Sequence, residues 1–85
     1  MAELIVRYFA GARAAAGVDT EVLPIPMDPY TVDDAIGELA RRHGSSMEKV
    51  LGACSFLLDE VAVRSRSTRL GDGATLDVLP PFAGG

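Results

Sequence analysis

The spacing of hydrophobic residues switches between two periods along this chain, and each switch marks an element. Leu4-Ile5-Val6-Arg7-Tyr8-Phe9 is rich in β-branched and aromatic residues, and a period of two puts Leu4, Val6 and Tyr8 on one face with Arg7 opposite, predicting a strand. Ala10 to Ala16 is alanine-rich and stops at Gly17, which suits a short helix or helical turn. Thr20 to Ile25 predicts a second strand with Leu23 and Ile25 on one face, and Pro24 places it at an edge or at its own end. Pro26, Asp28 and Pro29 then break the pattern.

The strongest helical signal begins at Thr31. This residue is a good N-cap, Asp34 three residues on can complete a capping box, and Asp33 stands near the positive helix end. Val32, Ala35, Ile36, Leu39 and Ala40 form one apolar stripe, while Arg41, Arg42 and His43 occupy the last turn before Gly44. Start and stop agree on a helix of about three turns. Ser45-Ser46-Met47-Glu48 repeats the capping pattern for a shorter helix ending near Gly52.

After Ser55, the apolar run Phe56-Leu57-Leu58, the acidic pair Asp59-Glu60 and Val61-Ala62-Val63 predict two short strands around a tight turn, with Arg64 and Arg66 continuing the second outward. Gly71-Asp72-Gly73 is a turn signal before Thr75 to Leu79, where Leu76 and Val78 face inward and Thr75 and Asp77 outward. Pro80-Pro81 ends sheet pairing. The order strand, strand, helix, strand, strand, strand predicts an α+β chain of the β-grasp (ubiquitin-like) type, a mixed sheet of about five strands with one main helix and short extra helices. The right-handed crossover rule lets the first and last strands lie side by side at the sheet centre, so the last strand delivers residues 80–85 to solvent.

Composition narrows the function classes. With 85 residues, 48% hydrophobic and 24% charged, the expectation is a single domain spanning residues 1–85, and a chain of this size has little spare volume for an internal catalytic cavity. Chemistry is therefore expected at the surface, at a terminus or with a partner. The net charge of −4 opposes nucleic-acid binding. A single cysteine, Cys54, allows no intrachain disulfide and completes no zinc pattern, which fits a reduced, cytoplasmic setting. Met1-Ala2-Glu3 lacks a basic signal-peptide start, and no apolar run is long enough to span a bilayer, so no membrane partner is expected.

The ending carries the most specific pattern: Leu70-Gly71-Asp72-Gly73, then Leu79-Pro80-Pro81-Phe82-Ala83-Gly84-Gly85. Together with the opening strand ending in Phe9-Ala10 and the Thr31 helix, it resembles the ubiquitin-like sulfur-carrier family that includes the small subunit of molybdopterin synthase and the thiamin-thiazole sulfur carrier. The resemblance covers the whole chain, and the double proline points most to the molybdopterin synthase branch. Asp59-Glu60 at the hairpin and Ala74 after Asp72-Gly73 depart from the family's habit, neither of them at the tail.

That resemblance implies a role in molybdenum cofactor biosynthesis. An adenylating, E1-like enzyme would use ATP to turn the Gly85 carboxylate into an acyl adenylate, sulfide would displace AMP, and the Gly85 thiocarboxylate would supply sulfur to a cyclic pterin precursor in the large catalytic subunit of molybdopterin synthase. The chain would be a non-catalytic carrier subunit with no bound cofactor and no metal. Related carriers serve thiamin thiazole or cysteine synthesis, and ubiquitin-like modifiers join the same carboxylate to lysines on other proteins. The tail suits insertion into a partner's active site: Pro80 and Pro81 limit the states lost on binding, and Ala83, Gly84 and Gly85 keep the backbone slim. Extended, residues 80–85 reach roughly 20 Å at about 3.3 Å per residue.

Leu79 and Phe82 flank the prolines without an obvious core position and are candidates for the partner interface, with Arg64 and Arg66. Arg64, Arg66 and Arg69 are otherwise solvated charges. Cys54 reads as a small buried hydrophobe that could alternatively relay sulfur. His43 reads as a helix C-terminal cation, Met47 and the aromatics as core, and Gly17, Gly71 and Gly73 as turns.

Overall fold

A computed structural model describes residues 2–81 of the 85-residue chain. Its elements in order are β1 (Glu3–Tyr8), α1 (Ala10–Ala16), β2 (Thr20–Pro24), α2 (Val32–His43), α3 (Ser45–Ala53), β3 (Ser55–Leu58), β4 (Val61–Ala62) and β5 (Thr75–Leu79). The strands form one mixed sheet in the order β2-β1-β5-β3-β4. As the crossover rule predicts, β1 and β5 are parallel neighbours at the centre, with Val6 beside Leu76 and Tyr8 beside Val78. All other pairs are antiparallel.

Alternation decides which residues enter the core. Leu4, Val6 and Tyr8 of β1, Leu23 of β2, Phe56 of β3, and Leu76 and Val78 of β5 are buried beneath the helices, joined by Val32, Ala35, Ile36 and Leu39 of α2 and by Met47 and Leu51 of α3. The sheet is thus covered on one face by the main helix α2 and the two shorter helices α1 and α3, as the sequence predicts. Placing these apolar groups out of water supplies the main force holding sheet and helices together.

Helix α2 starts where its sequence predicts. The Thr31 hydroxyl accepts from the Asp34 amide at 3.2 Å, and the Asp34 carboxylate accepts from the Thr31 amide at 2.9 Å, a reciprocal capping box. Its end also falls where the sequence places it, and the departure lies in the start of the next helix. Gly44, at φ 86, closes α2 with its amide on the Ala40 carbonyl at 2.8 Å and is also the residue before α3. Ser45 therefore lies inside α3, which has no side-chain cap, because Gly44 has already reversed the chain.

Two further expectations change. The second hairpin strand stops at Ala62, so Arg64 and Arg66 belong to the following loop rather than to the strand. Asp77 does lie on the face away from the helices, yet it is only 3% exposed, because the Arg7 guanidinium folds over it.

The β3–β4 turn carries Asp59 at φ 47 and Glu60 at φ 70. Positive φ at both central residues is the type I′ requirement that Asn-Gly meets best, since a Cβ is disfavoured there. The double variant D59N/E60G is expected to raise stability by about 0.5–1 kcal/mol, read as a higher urea midpoint with unchanged slope. The Asp59 carboxylate accepts from the Thr75 amide at 2.9 Å, and an asparagine oxygen can keep that bond.

Candidate functional site

The sheet centre sets where the tail leaves the domain. Gly73, at φ 80, turns the chain into β5, with its amide on the Glu3 carbonyl at 2.8 Å, while the Asp72 carboxylate accepts from the Glu3 amide at 2.8 Å. These bonds fix the start of β5 against β1. At the far end the Phe9 amide donates to the Val78 carbonyl at 3.3 Å, and Leu79 pairs with Ser55. Among the described residues the ladder has no pair beyond that row, since Pro80 and Pro81 supply no amide hydrogen. Leu79 and Pro80 are half-buried and Pro81 is exposed.

The sheet face that runs along β5 to this exit combines apolar and charged groups. On the face away from the helices, Ile5 lies between Val22 and Thr75, and Leu57 between Asp77 and Ala62. Val22 is 49% exposed and Phe9 is 39% exposed. Phe9 is thus not the core aromatic the sequence suggests. It lies beneath the Arg7 guanidinium, 5.9 Å from ring centroid to Cζ. Arg7 donates from Nε to Asp77 Oδ1 at 2.6 Å and from Nη2 to Oδ2 at 2.8 Å. That bidentate pair raises the affinity of Arg7 for its proton and leaves Asp77 satisfied in the centre of the face.

Of the residues assigned to the tail and its interface, the structure places Leu79, Pro80 and Pro81 at the strand exit, and Arg64 and Arg66 on the exposed loop after β4. Phe82, Ala83, Gly84 and Gly85 lie outside the described residues. Cys54 immediately precedes Ser55, is half-buried, and has its thiol pushed up by desolvation. A thiol shifted in that direction is a poor nucleophile at neutral pH, in line with the reading of Cys54 as a packing residue.

A cluster missed from the sequence lies on the helix side of the same end. The Tyr8 hydroxyl donates to Glu21 Oε1, His43 Nε2 stands 2.5 Å from that oxygen, and Arg42 reaches Glu21 Oε2 at 3.4 Å. Tyr8 and His43 rings meet edge to face with centroids 5.9 Å apart. His43 is therefore more than a helix-end cation, because it ties α2 to β1 and β2. Burial alone would push the Glu21 carboxyl up, but hydrogen bonds from Tyr8 and His43 and the nearby cations hold it below the usual range. Desolvation together with the bond to Glu21 pushes the Tyr8 phenol up, so it stays a neutral donor.

The sign of the resulting pH dependence follows. A carboxyl with a depressed folded-state pKa contributes stability that is fully present above its unfolded value, about 4.3, and is lost as pH falls through the folded value. The stability difference between the parent chain and E21Q is expected to shrink as pH falls below about 4, measured by urea midpoints at several pH values.

Among the described residues no group of three or more His, Cys, Asp and Glu could hold a metal ion, and no helix is long and apolar enough to cross a membrane.

Comparison with known proteins agrees with this geometry. Residues 6–85 match the ThiS family model. No curated protein sequence matches the chain. Among solved structures, a putative molybdopterin converting factor subunit 1 from Pyrococcus furiosus is 29% identical, with a TM-score of 0.80 over 96% of this chain and 100% of that one. Small archaeal modifier protein 1 from Methanosarcina acetivorans is 25% identical, with a TM-score of 0.82 over 100% of this chain and 98% of that one. A chain from the complex of subunits 1 and 2 of the molybdopterin-converting factor from Helicobacter pylori 26695 is 20% identical, with a TM-score of 0.70 over 98% of this chain and 99% of that one, which speaks for the fold alone. The family match spans most of the chain, from the first strand through the double proline to the double glycine, and so this chain belongs to the ThiS family of ubiquitin-like sulfur carriers.

Proposed function

We propose that the chain carries sulfur on the carboxylate of Gly85 and serves as the small subunit of a molybdopterin synthase. The observation that carries this reading is the delivery of Pro80-Pro81 from the end of the central strand β5, beyond which no sheet pair is formed among the described residues. A central strand is held on both sides, so it gives a tail a firm root. The family match running to Gly85 and the likeness to a putative converting-factor subunit support the same reading.

The chemistry is terminal. A carboxylate is a poor electrophile, so an adenylating partner would transfer AMP from ATP to Gly85 with release of pyrophosphate. Sulfide would then displace AMP, leaving a thiocarboxylate whose sulfur attacks an activated carbon of the acceptor. The large synthase subunit would receive the tail and bind the pterin precursor. The domain would stay outside that site while Pro80 to Gly85 enter it. The chain would need no resident cofactor for this, since the ATP is consumed on the partner.

The acceptor is tested by presenting the thiocarboxylate form to a cyclic pterin precursor together with the large synthase subunit. Dithiolene formation with return of the carboxylate is expected; transfer to a thiazole or cysteine precursor instead would assign another branch of the family. A second reading is favoured by the likeness to small archaeal modifier protein 1: Gly85 joined to lysines of other proteins. Isopeptide adducts ending in Gly85 in cell lysate would support it.

A further inference from the structure

Seven of the eight basic residues of this chain are arginines, and the eighth, Lys49, is its one lysine. A guanidinium stays protonated and is no acyl acceptor, so Lys49 supplies the only side-chain amine. It lies in α3, where Met47 and Leu51 mark the core side, and it is itself exposed. At about 100° per residue, position 49 stands nearly opposite both of them. The residues three and four positions away on the helix surface are Ser45, Ser46, Gly52 and Ala53. All four are small and exposed, so none of them shields the amine. Among the described residues no carboxylate forms an ion pair with it.

Lys49 is also near the root of the tail. Four helical residues carry the chain from it to Ala53, about 6 Å at about 1.5 Å per residue. Two further residues lead through Cys54 to Ser55, which pairs with Leu79 in the last row of the sheet. The chain path therefore keeps the Lys49 Cα within roughly 20 Å of the Leu79 Cα. Residues 80–85 reach about as far at about 3.3 Å per residue, and the four-carbon lysine stem adds its own length. The amino-terminal side is placed otherwise. Ala2 precedes β1, which runs beside β5 in the same direction. At about 3.3 Å per residue, Ala2 starts roughly 23 Å of strand away from the row where the tail leaves.

We propose that Lys49 is an acceptor for the chain's own activated carboxylate, closing a Lys49–Gly85 lactam when sulfide is scarce. The inference rests on the reading of Gly85 as an adenylated carboxylate. The free ε-amine attacks the acyl carbon and a C–N bond forms. The bond from that carbon to the phosphate oxygen breaks, AMP leaves with its electron pair, and the ammonium proton passes to water. ATP consumed by the adenylating partner drives the step, and no oxidant or reductant takes part. Sulfide competes for the same carbon, so closure captures chains whose adenylate leaves the partner before thiolation. A tethered amine has an effective concentration on the order of millimolar, which favours it over the lysine of a second copy at micromolar levels.

The test uses the full chain carrying a Gly85 α-thioester, which presents the same acyl carbon with a thiol as leaving group and needs no partner. At mildly alkaline pH the parent chain is expected to give a monomer one water lighter than the free acid. Digestion should recover Lys49 and Gly85 in one cross-linked peptide, and the rate should not change with protein concentration. K49R, a conservative change at an exposed position, is expected to lower the yield of that species at least about tenfold and to hydrolyse instead. Hydrolysis alone in the parent chain, closure onto the N-terminal amine, or dimers whose rate rises with concentration would overturn the proposal. The adenylating enzyme with ATP and no sulfur source should give the same lighter monomer, and added sulfide should suppress it. Closure of the thioester without any pyrophosphate exchange by the enzyme would instead locate the failure in the carrier reading.

Discussion

Deleting Gly84 and Gly85 is expected to abolish thiocarboxylate formation while leaving the thermal unfolding transition where it is. Every buried core residue lies between Leu4 and Val78, so the two glycines contribute nothing to the described core. Their removal shortens the tail and puts the carboxylate on Ala83, away from the activating site. Appending one residue after Gly85 should also be damaging, with kcat/KM for adenylation falling at least about a hundredfold, since displacing a reacting group by an ångström or more destroys its attack geometry. Intact activity in the deletion variant would favour a non-covalent adaptor. The measurement is the rate of pyrophosphate exchange beside a melting curve for each variant.

The largest effect on stability is expected for Leu76→Ala. Leu76 is fully buried on the central strand, next to Val6 in the parallel register and opposite Leu58 in the antiparallel one. Truncation removes transfer energy and leaves a cavity that strands bonded on both sides can close only in part, at a cost of about 2–5 kcal/mol. A domain of this size has roughly 4–13 kcal/mol in total, so the variant should lose a large share of its stability and melt more than about 10 °C lower. Val61→Ala is the matched control: Val61 is 68% exposed at the end of the two-residue strand β4, and its change should stay within about 0.5 kcal/mol. Urea denaturation of both variants checks the contrast.

These effects also show which features could be read from residues alone. The α2 boundaries were legible because their signals are local, with Thr31 and Asp34 capping each other three residues apart and Gly44 ending the helix. The β1–β5 pairing was legible because handedness leaves few alternatives for a strand-helix-strand connection. Burial of Asp77 was not legible, because its cover is Arg7, seventy positions earlier in sequence. The Tyr8, Glu21 and His43 cluster escaped for the same reason: its members come from three elements that meet only after folding. Arg64 and Arg66 were found as exposed cations, but the strand assigned to them was displaced by the hydrogen bonds that draw their loop toward α2. The glycine pair is a different case, read wholly from its place after Pro80-Pro81 in the sequence.

Intact mass after incubation with ATP, the adenylating enzyme and a sulfur source tests the central claim most directly. The account predicts replacement of one oxygen by sulfur, localised to Gly85 by fragmentation and absent when ATP is omitted. An unchanged mass under conditions where the enzyme thiolates another carrier would contradict it.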